Sequence, residues 1–146
     1  MIRVQSDAFD PGEEISHLAR AGDTGAIATF VGLVRDEGGT LFALTLEHYP
    51  GMTERALSVL EAEARGRWSL SDVRIVHRVG RMMPGEIIVF VGVAARHRVE
   101  AFAACEFLID RLKTDAPFWK FEEGNEGGRW VDAHQTDDAR ADRWRR

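Results

Sequence analysis

Apolar positions in the first third of the chain follow strand patterns. Residues 24–34 are β-branched and almost wholly apolar, which predicts a central strand with a bulge or close approach at Gly32. Residues 36–40 have a turn composition, and residues 41–49 alternate between apolar and polar positions. The apolar face of this second strand consists of Phe42, Leu44 and Leu46. The two strands are predicted to pair as a hairpin.

Three segments have apolar residues at helical spacing. They are residues 13–20, 53–68 and 98–113, and Thr53 is placed to cap the second segment. The apolar face of the second segment consists of Ala56, Val59, Leu60, Ala64 and Trp68. The face of the third and longest consists of Ala101, Phe102, Cys105, Leu108, Ile109 and Leu112.

The remaining strand patterns complete an α+β arrangement. Residues 73–80 and 86–95 predict a second hairpin, and residues 117–122 and 129–133 predict two further short strands. In the strand 117–122, alternation places Phe118, Lys120 and Glu122 on one face and Trp119 and Phe121 on the other. Hairpins separated by helices favour a mostly antiparallel sheet with helices packed on it.

Composition indicates one globular domain. The chain has 146 residues, of which 45% are hydrophobic and 29% charged, and we expect a single domain over residues 1–134 followed by a polar, mobile tail over residues 135–146. The single cysteine, Cys105, excludes an intrachain disulfide and is expected in the core. The longest apolar run, residues 87–95, is too short to span a membrane, and because residues 1–5 lack the apolar stretch of a signal sequence we expect no export signal. These features predict a cytoplasmic protein.

Charge is unevenly distributed along the chain. The net charge of −5 argues against non-specific nucleic-acid binding. Seven arginines against two carboxylates nevertheless make residues 65–98 positive, which fits either an attraction for small anions or a solvated basic face. His48 and His77 lie in predicted strands without ligand-spaced partners, and they are expected in polar networks rather than as metal ligands.

Lysine is nearly absent. Of the 19 basic residues 17 are arginines, and the two exceptions, Lys113 and Lys120, lie in one short segment. Lysine can titrate, whereas guanidinium cannot, so the pair is a candidate for acid–base or nucleophilic chemistry. A lysine at a helix C-terminus also compensates the helix dipole, so a purely structural role stays open for Lys113. Lys120 lies among aromatic residues, where a bound anion would explain its charge.

A second basic group opens the longest predicted helix. Arg96, His97 and Arg98 stand at its N-terminus, where free N–H groups and the helix dipole favour a phosphate. An exposed basic helix entry is the alternative. The sequence has no Walker A loop, GxGxxG, GxSxG, HExxH or paired CxxC motif, which removes support for P-loop, common hydrolase and zinc functions. The aromatic residues near the C-terminus favour core packing or a protein interface over base stacking.

Five strings of the sequence closely resemble the catalytic subunits of molybdopterin synthases. These strings are GAIATFVGLVR (residues 25–35), LTLEHYPGMTE (44–54), VHRVG (76–80), IVFVGV (88–93) continuing to His97 and Arg98, and LKTDAPFWK (112–120). The match runs in order from about residue 3 to residue 134, and the last string is the most specific.

This resemblance implies an α/β hammerhead fold and a cytosolic enzyme of molybdenum cofactor synthesis. It implies a homodimer that forms a heterotetramer with a small ubiquitin-like sulfur-carrier subunit, whose C-terminal Gly-Gly thiocarboxylate enters a pocket of the large subunit. Sulfur would be transferred twice to cyclic pyranopterin monophosphate to form the dithiolene. Because this chain ends in Trp144-Arg-Arg, we expect it not to be the carrier. No cofactor, metal, nucleic acid or membrane is expected to take part.

Carried over by position, the resemblance implies the site residues. Lys113 and Lys120 correspond to the essential lysines, and Arg35, His97 and Arg98 to anion-binding residues. The whole implied substrate-binding set is Leu33, Val34, Arg35, His97, Arg98, Lys113, Lys120, Phe121 and Glu122.

Four positions depart from the family pattern, and two other functions stay open. Leu33, Asp36, Phe121 and His134 replace polar or basic residues, and we expect these changes to weaken phosphate contacts at the rim of the site. One alternative function is a non-catalytic scaffold that binds a ubiquitin-like tail, with the lysines as electrostatic contacts only. The other is an unrelated anion-binding α+β module.

Overall fold

A computed structural model describes residues 1–125, 127–131 and 135–145. The helices are α1 (Pro11–Ala19), α2 (Met52–Arg67), α3 (Arg98–Asp115) and α4 (Gln135–Asp142), with a short 3-10 turn at Glu37–Gly39. The strands are β1 (Ile2–Gln5), β2 (Ala26–Leu33), β3 (Leu41–His48), β4 (Asp72–Arg78), β5 (Gly80–Met82), β6 (Ile87–Ala95), β7 (Phe118–Gly124) and β8 (Gly127–Val131).

The strands form two four-stranded sheets rather than the single sheet expected. The first has the order β1-β4-β6-β2 and the second the order β5-β3-β7-β8. Every pairing is antiparallel except that of β1 with β4. The predicted α+β class and the predominance of antiparallel pairing are confirmed.

The buried apolar side chains form two clusters on opposite faces of the first sheet. The larger cluster joins both sheets to α2 and α3, and its fully buried members include Ile75, Leu57 and Phe107. The smaller cluster packs Leu18 of α1 against Val76 and other residues of the opposite face. Alternation along β4 separates the clusters, because successive strand residues point to opposite faces.

The predicted first hairpin is wrong, whereas the second is confirmed. Strand β2 pairs only with β6 and lies at the edge of the first sheet, while β3 lies in the second sheet. The expected bulge is present, since the β2–β6 register shifts between Gly32 and Leu33. Strands β4 and β6 pair as expected. Short-range alternation identifies a strand but not its partner, and here the partner is chosen by long-range packing.

The predicted helix faces are partly wrong. Thr53 lies inside α2, whose N-cap is Gly51, and the Thr53 hydroxyl instead accepts a hydrogen bond from the Tyr49 amide at 3.2 Å. Val59 and Phe102 are more than half exposed. Leu57 and Phe107, absent from the predicted faces, are fully buried. Helices α2 and α3 contact each other, and α3 also contacts α4. Hydrophobic spacing alone therefore does not predict which side of each helix is buried.

The C-terminal segment is helical where the pattern predicted only a polar tail. Residues 135–142 form α4, and Trp144 just beyond it packs edge-to-face on Trp68 and Phe107. The Trp144 indole N–H donates to the buried Asp110 carboxylate of α3 at 2.7 Å, and Arg143 donates to the same oxygen at 2.9 Å. These contacts fasten the segment to α3. The division at residue 134 stays a prediction.

Across the described ranges, the helices are too short or too polar to cross a membrane.

Candidate functional site

A cavity of about 840 Å³ opens where the second sheet meets the C-terminal end of α3. Its walls come from the segment after β2, from β3, β7 and β8, and from the last turn of α3. Apolar side chains form much of its surface; they include Leu41, Leu44, Leu46, Ile88, Leu112, Phe118 and Val131. A cavity of this size and mixed lining can enclose a small molecule or the extended end of a peptide.

Both lysines lie on the wall of this cavity. Lys113 stands in the last turn of α3, and Lys120 is the third residue of β7. The connection between them is held tightly, since the Ala116 amide donates to Leu112 at 3.3 Å and the Thr53 hydroxyl donates to the Pro117 carbonyl at 3.1 Å. The fold therefore brings the two lysines of the chain to one site.

Strand alternation decides which β7 side chains reach the cavity. Lys120 and Glu122 line it together with Phe118, as the sequence predicted. Phe121 does not line it; its ring packs on Trp130 of β8 with ring centres 5.2 Å apart. Phe121 therefore belongs to the opposite face of the sheet, and its departure from the family pattern does not alter the cavity wall.

The segment after β2 is fixed by main-chain hydrogen bonds. The Val34 amide donates to Glu86 at 2.9 Å and the Gly85 amide donates to Val34 at 2.8 Å, which places residues 33–35 at the cavity. Asp36 does not line the cavity; its carboxylate accepts the Leu41 amide at 2.9 Å and closes the turn beneath it. Asp36 thus shapes the site without entering it.

The charged lining is predominantly basic. The lining of the cavity includes four basic side chains and two carboxylates; the basic side chains are Arg35, Lys113, Lys120 and Arg129, and the carboxylates are Glu122 and Glu123. Both carboxylates have arginine partners: Glu122 lies 3.6 Å from Arg129, and Glu123 lies 3.0 Å from Arg81. The cavity thus favours an anionic ligand.

His97 and Arg98 lie away from this cavity. They are exposed at the opposite end of α3, where His97 is the N-cap and Arg98 the first helical residue. Lys113 follows fifteen residues later, which corresponds to about 22 Å along the helix at about 1.5 Å per residue. One copy of the chain does not bring His97 and Arg98 together with the lysines. His134, also singled out from the sequence, lies outside the described residues.

Three groups were not assigned to the site from the sequence. Arg129 and the β7–β8 turn have no motif that would reveal them, whereas His77 belongs to a recognised string but was expected only in a polar network. His77 is buried and forms part of the cavity wall. Burial lowers its pKa to about 4, assisted by the positive charges of Lys113 and Lys120. Its imidazole is therefore neutral near pH 7.

The remaining candidate groups, Cys105 and His48, lie outside this cavity. Cys105 is buried as expected, and burial raises the pKa of its thiol to about 12, so it is a poor nucleophile. His48 lies in a small depression with Tyr49, Trp119 and Trp130. The described ranges contain no group of three or more side chains arranged to hold a metal ion.

Comparisons with known proteins give matches over most of the chain. The family model described as MoaE protein matches residues 4–115. A protein of Pseudomonas aeruginosa named molybdopterin synthase catalytic subunit is 54% identical over 146 residues, covering 98% of this chain and 97% of its own length.

Solved structures have the same fold. The molybdopterin biosynthesis MoaE protein from Burkholderia ambifaria is 55% identical with a TM-score of 0.85, over 99% of this chain and 98% of its own. The structure titled molybdopterin synthase from Staphylococcus aureus is 30% identical with a TM-score of 0.81, over 88% of this chain and 95% of its own. The α/β hammerhead fold is therefore confirmed.

Proposed function

The chain belongs to the MoaE protein family, and from this membership we propose that it is the catalytic subunit of a molybdopterin synthase. It transfers sulfur from the C-terminal thiocarboxylate of a small ubiquitin-like subunit to cyclic pyranopterin monophosphate, and two transfers complete the dithiolene of molybdopterin. The observation that carries this proposal is the meeting of Lys113 and Lys120 in one basic cavity. The cytoplasm is the proposed site of action.

The cavity fits both anionic reactants. Arg35 and the two lysines supply positive charge against the substrate phosphate and the incoming thiocarboxylate, and the apolar walls weaken the competition from water. We assign Lys113 to the carbonyl side of the thiocarboxylate. After the sulfur has bonded to the substrate, water attacks this carbonyl, the carbonyl–sulfur bond breaks and the carrier leaves as a carboxylate, while the Lys113 ammonium stabilises the developing oxyanion. Lys120 assists proton transfer when the cyclic phosphate opens and sulfur attacks.

His97 and Arg98 act, in this proposal, from a second copy of the chain. The resemblance assigns them to phosphate binding, yet within one copy they stand about 22 Å along α3 from Lys113. Two neighbouring apolar side chains, Val99 and Phe102, are 69% and 66% exposed, as expected if another chain covers this end of the helix. A homodimer would then carry two shared sites and bind one small subunit at each.

Reconstitution tests the proposed function. The purified chain is mixed with thiocarboxylated small subunit and cyclic pyranopterin monophosphate, and dithiolene product is measured. We expect product to form with the thiocarboxylate, and none with the same subunit ending in an ordinary carboxylate. Binding of the small subunit without product would instead indicate a non-catalytic scaffold.

A further inference from the structure

His77 is buried beside the reactive lysines. It lies near the end of β4, between Val4 of β1 and Val89 of β6, and only 4% of its surface is exposed. Both strand neighbours are apolar, and the ring is hydrogen-bonded to the main-chain carbonyl of Arg78. The residue also forms part of the cavity wall.

The hydrogen bond of one ring nitrogen fixes the protonation of the other. Nδ1 lies 2.8 Å from the Arg78 carbonyl oxygen, which only accepts hydrogen bonds, so Nδ1 carries the proton. Burial, together with the charges of Lys113 on α3, Lys120 on β7 and His48 on β3, keeps the ring neutral by lowering its pKa. Nε2 consequently retains its lone pair and is a hydrogen-bond acceptor.

The ring is also held in orientation. It stacks on Phe118 with ring centres 4.0 Å apart and an angle of 22° between the planes. Phe118 lies two residues before Lys120 on the cavity face of β7. The stack and the Nδ1 hydrogen bond together fix the position of Nε2 relative to both lysines.

We propose that His77 is a positioning residue of the sulfur-transfer site, whose neutral Nε2 accepts a hydrogen bond from the Lys113 ammonium and orients it in the cavity. The proposal rests on the proposed function of the two lysines. Lys113 is taken as the donor because the last turn of α3 brings it to the cavity wall that His77 also lines, and its charge acts on the ring more strongly than that of Lys120.

A neutral acceptor suits this position better than a carboxylate. A buried carboxylate would pair with the ammonium and reduce the attraction of the cavity for an anionic reactant. An imidazole nitrogen can hold the ammonium in place while leaving its charge uncompensated. The lysine is then directed and remains available to the thiocarboxylate.

The scarcity of lysine makes this contact directly measurable. In protein labelled with ¹³C-lysine only two lysine side chains give signals, and Lys113→Arg and Lys120→Arg assign them. The pKa of each ammonium is read by NMR titration of the chain alone. In His77→Phe, which keeps a ring against Phe118 but removes the acceptor, we expect the pKa of Lys113 to fall by about half a unit to one unit.

Two further variants separate positioning from general damage. His77→Gln restores an acceptor at the end of a side chain of similar reach, so the pKa of Lys113 should return towards its original value. Val76→Ala is the matched control, because Val76 is the buried neighbour on the same strand but packs in the opposite cluster. It should lower stability without moving either lysine pKa.

The same titrations contain the outcomes that overturn the proposal. An unchanged Lys113 pKa in His77→Phe, a shift confined to Lys120, no recovery in His77→Gln, or an equal shift in Val76→Ala would each do so. Product formation in the reconstituted synthase is measured separately. If His77→Phe lowers the Lys113 pKa as expected but the wild-type chain makes no product, the proposed function is contradicted while the contact between His77 and Lys113 stands.

Discussion

At the scale of single residues, the two lysines are held in different ways. Lys113 belongs to the last turn of the long helix α3. Lys120 belongs to strand β7, where it lies opposite Leu46 of β3 on one side and opposite Val131 of β8 on the other. The two ammonium groups are thus carried to one cavity by separate elements. This arrangement suits a reaction that needs charge stabilisation and proton transfer at the same time.

Lys113→Arg tests whether charge alone is sufficient. Guanidinium keeps the charge but is too broad to replace a compact ammonium beside the thiocarboxylate carbonyl. We expect sulfur transfer to fall by about 10² or more in Lys113→Arg, nearly as far as in Lys113→Ala. Turnover is measured with thiocarboxylated small subunit, and its binding is the control, since interface area rather than one side chain determines docking. Retained turnover in Lys113→Arg would show that a positive charge of any shape is sufficient, and it would contradict the assignment of a compact ammonium to the thiocarboxylate carbonyl.

His77 should make stability depend on pH. The pKa of this histidine falls from 6.5 to about 4 on folding, so between these values the unfolded chain binds a proton that the folded chain excludes. The stabilisation is complete above pH 6.5 and is lost as the pH falls towards 4. Between pH 7.5 and pH 5 we expect a loss of about 2 kcal/mol in the free energy of unfolding.

Urea unfolding at several pH values measures this loss, and His77→Gln is the matched variant. The free energy of unfolding of His77→Gln should vary less with pH above pH 5 than that of the wild-type protein. Neighbouring groups lower the pKa of three carboxylates, Glu14, Asp23 and Glu86. Protonation of these carboxylates destabilises the fold only at lower pH, because their ordinary pKa values are 4.5 or below. Equal slopes for both proteins between pH 7.5 and 5 would contradict the assignment.

At the scale of elements, close backbone contacts join the sheet to the beginning of α3. Gly25, just before β2, donates its amide to Ala95 at 2.9 Å, and a Cβ at this position would lie 2.3 Å from the Arg96 carbonyl oxygen. No flexible side chain is present to give way. The requirement for glycine here comes from packing between elements rather than from an unusual backbone angle.

Gly25→Ala should destabilise the protein, whereas Gly66→Ala should stabilise it. The overlap with Arg96 is expected to cost about 1–3 kcal/mol. Gly66 lies in α2 with no atom within 4 Å of an added Cβ, and alanine there should contribute about 0.5–1 kcal/mol through helix propensity. Thermal unfolding of both variants measures the difference. A melting temperature of Gly25→Ala equal to that of the wild-type protein would show that the Gly25 contact relaxes without cost.

The C-terminal helix α4 illustrates an element whose role the local pattern conceals. Its segment docks through Trp144 and Arg143 onto Asp110, one turn before Lys113 on α3. Polar composition predicted a tail because the contacts involve an aromatic ring and an ion pair rather than an apolar stripe. The segment thereby supports the helix that presents Lys113.

At the scale of the whole molecule, the distance along α3 makes the proposed site depend on two copies. In a symmetric dimer each cavity would combine the lysines of one copy with His97 and Arg98 of the other. A dimer of Arg98→Ala with Lys113→Ala then contains one intact site. A one-copy site would give no such recovery.

Mixing the two variants by co-expression should restore about a quarter of wild-type sulfur transfer, since half the dimers are mixed and each has one intact site. Co-expression of Lys113→Ala with Lys120→Ala is the matched control and should restore nothing, because both lesions lie in the same cavity wall. Rescue in the control, or its absence from the first pair in a confirmed dimer, would contradict a shared site.

The sequence by itself determined the α+β class, the β4–β6 hairpin, the burial of Cys105 and the facing of Phe118, Lys120 and Glu122. These features follow from short-range periodicity and, for the hairpin, from the short turn-forming segment 82–85 between its two strands. The sequence also identified Lys113 and Lys120 as a pair, because lysine is so rare in this chain.

Only the tertiary structure decided the partner of each strand, the separation of His97 and Arg98 from the lysines, and the place of His77 in the cavity wall. Pairing of β2 with β6 rather than β3 depends on contacts between residues distant in the chain, which no local pattern encodes. His77 looks like any strand histidine until the fold places it on the cavity wall that Lys113 and Lys120 also line. Its burial and charged neighbours, which fix its protonation, exist only in the assembled fold.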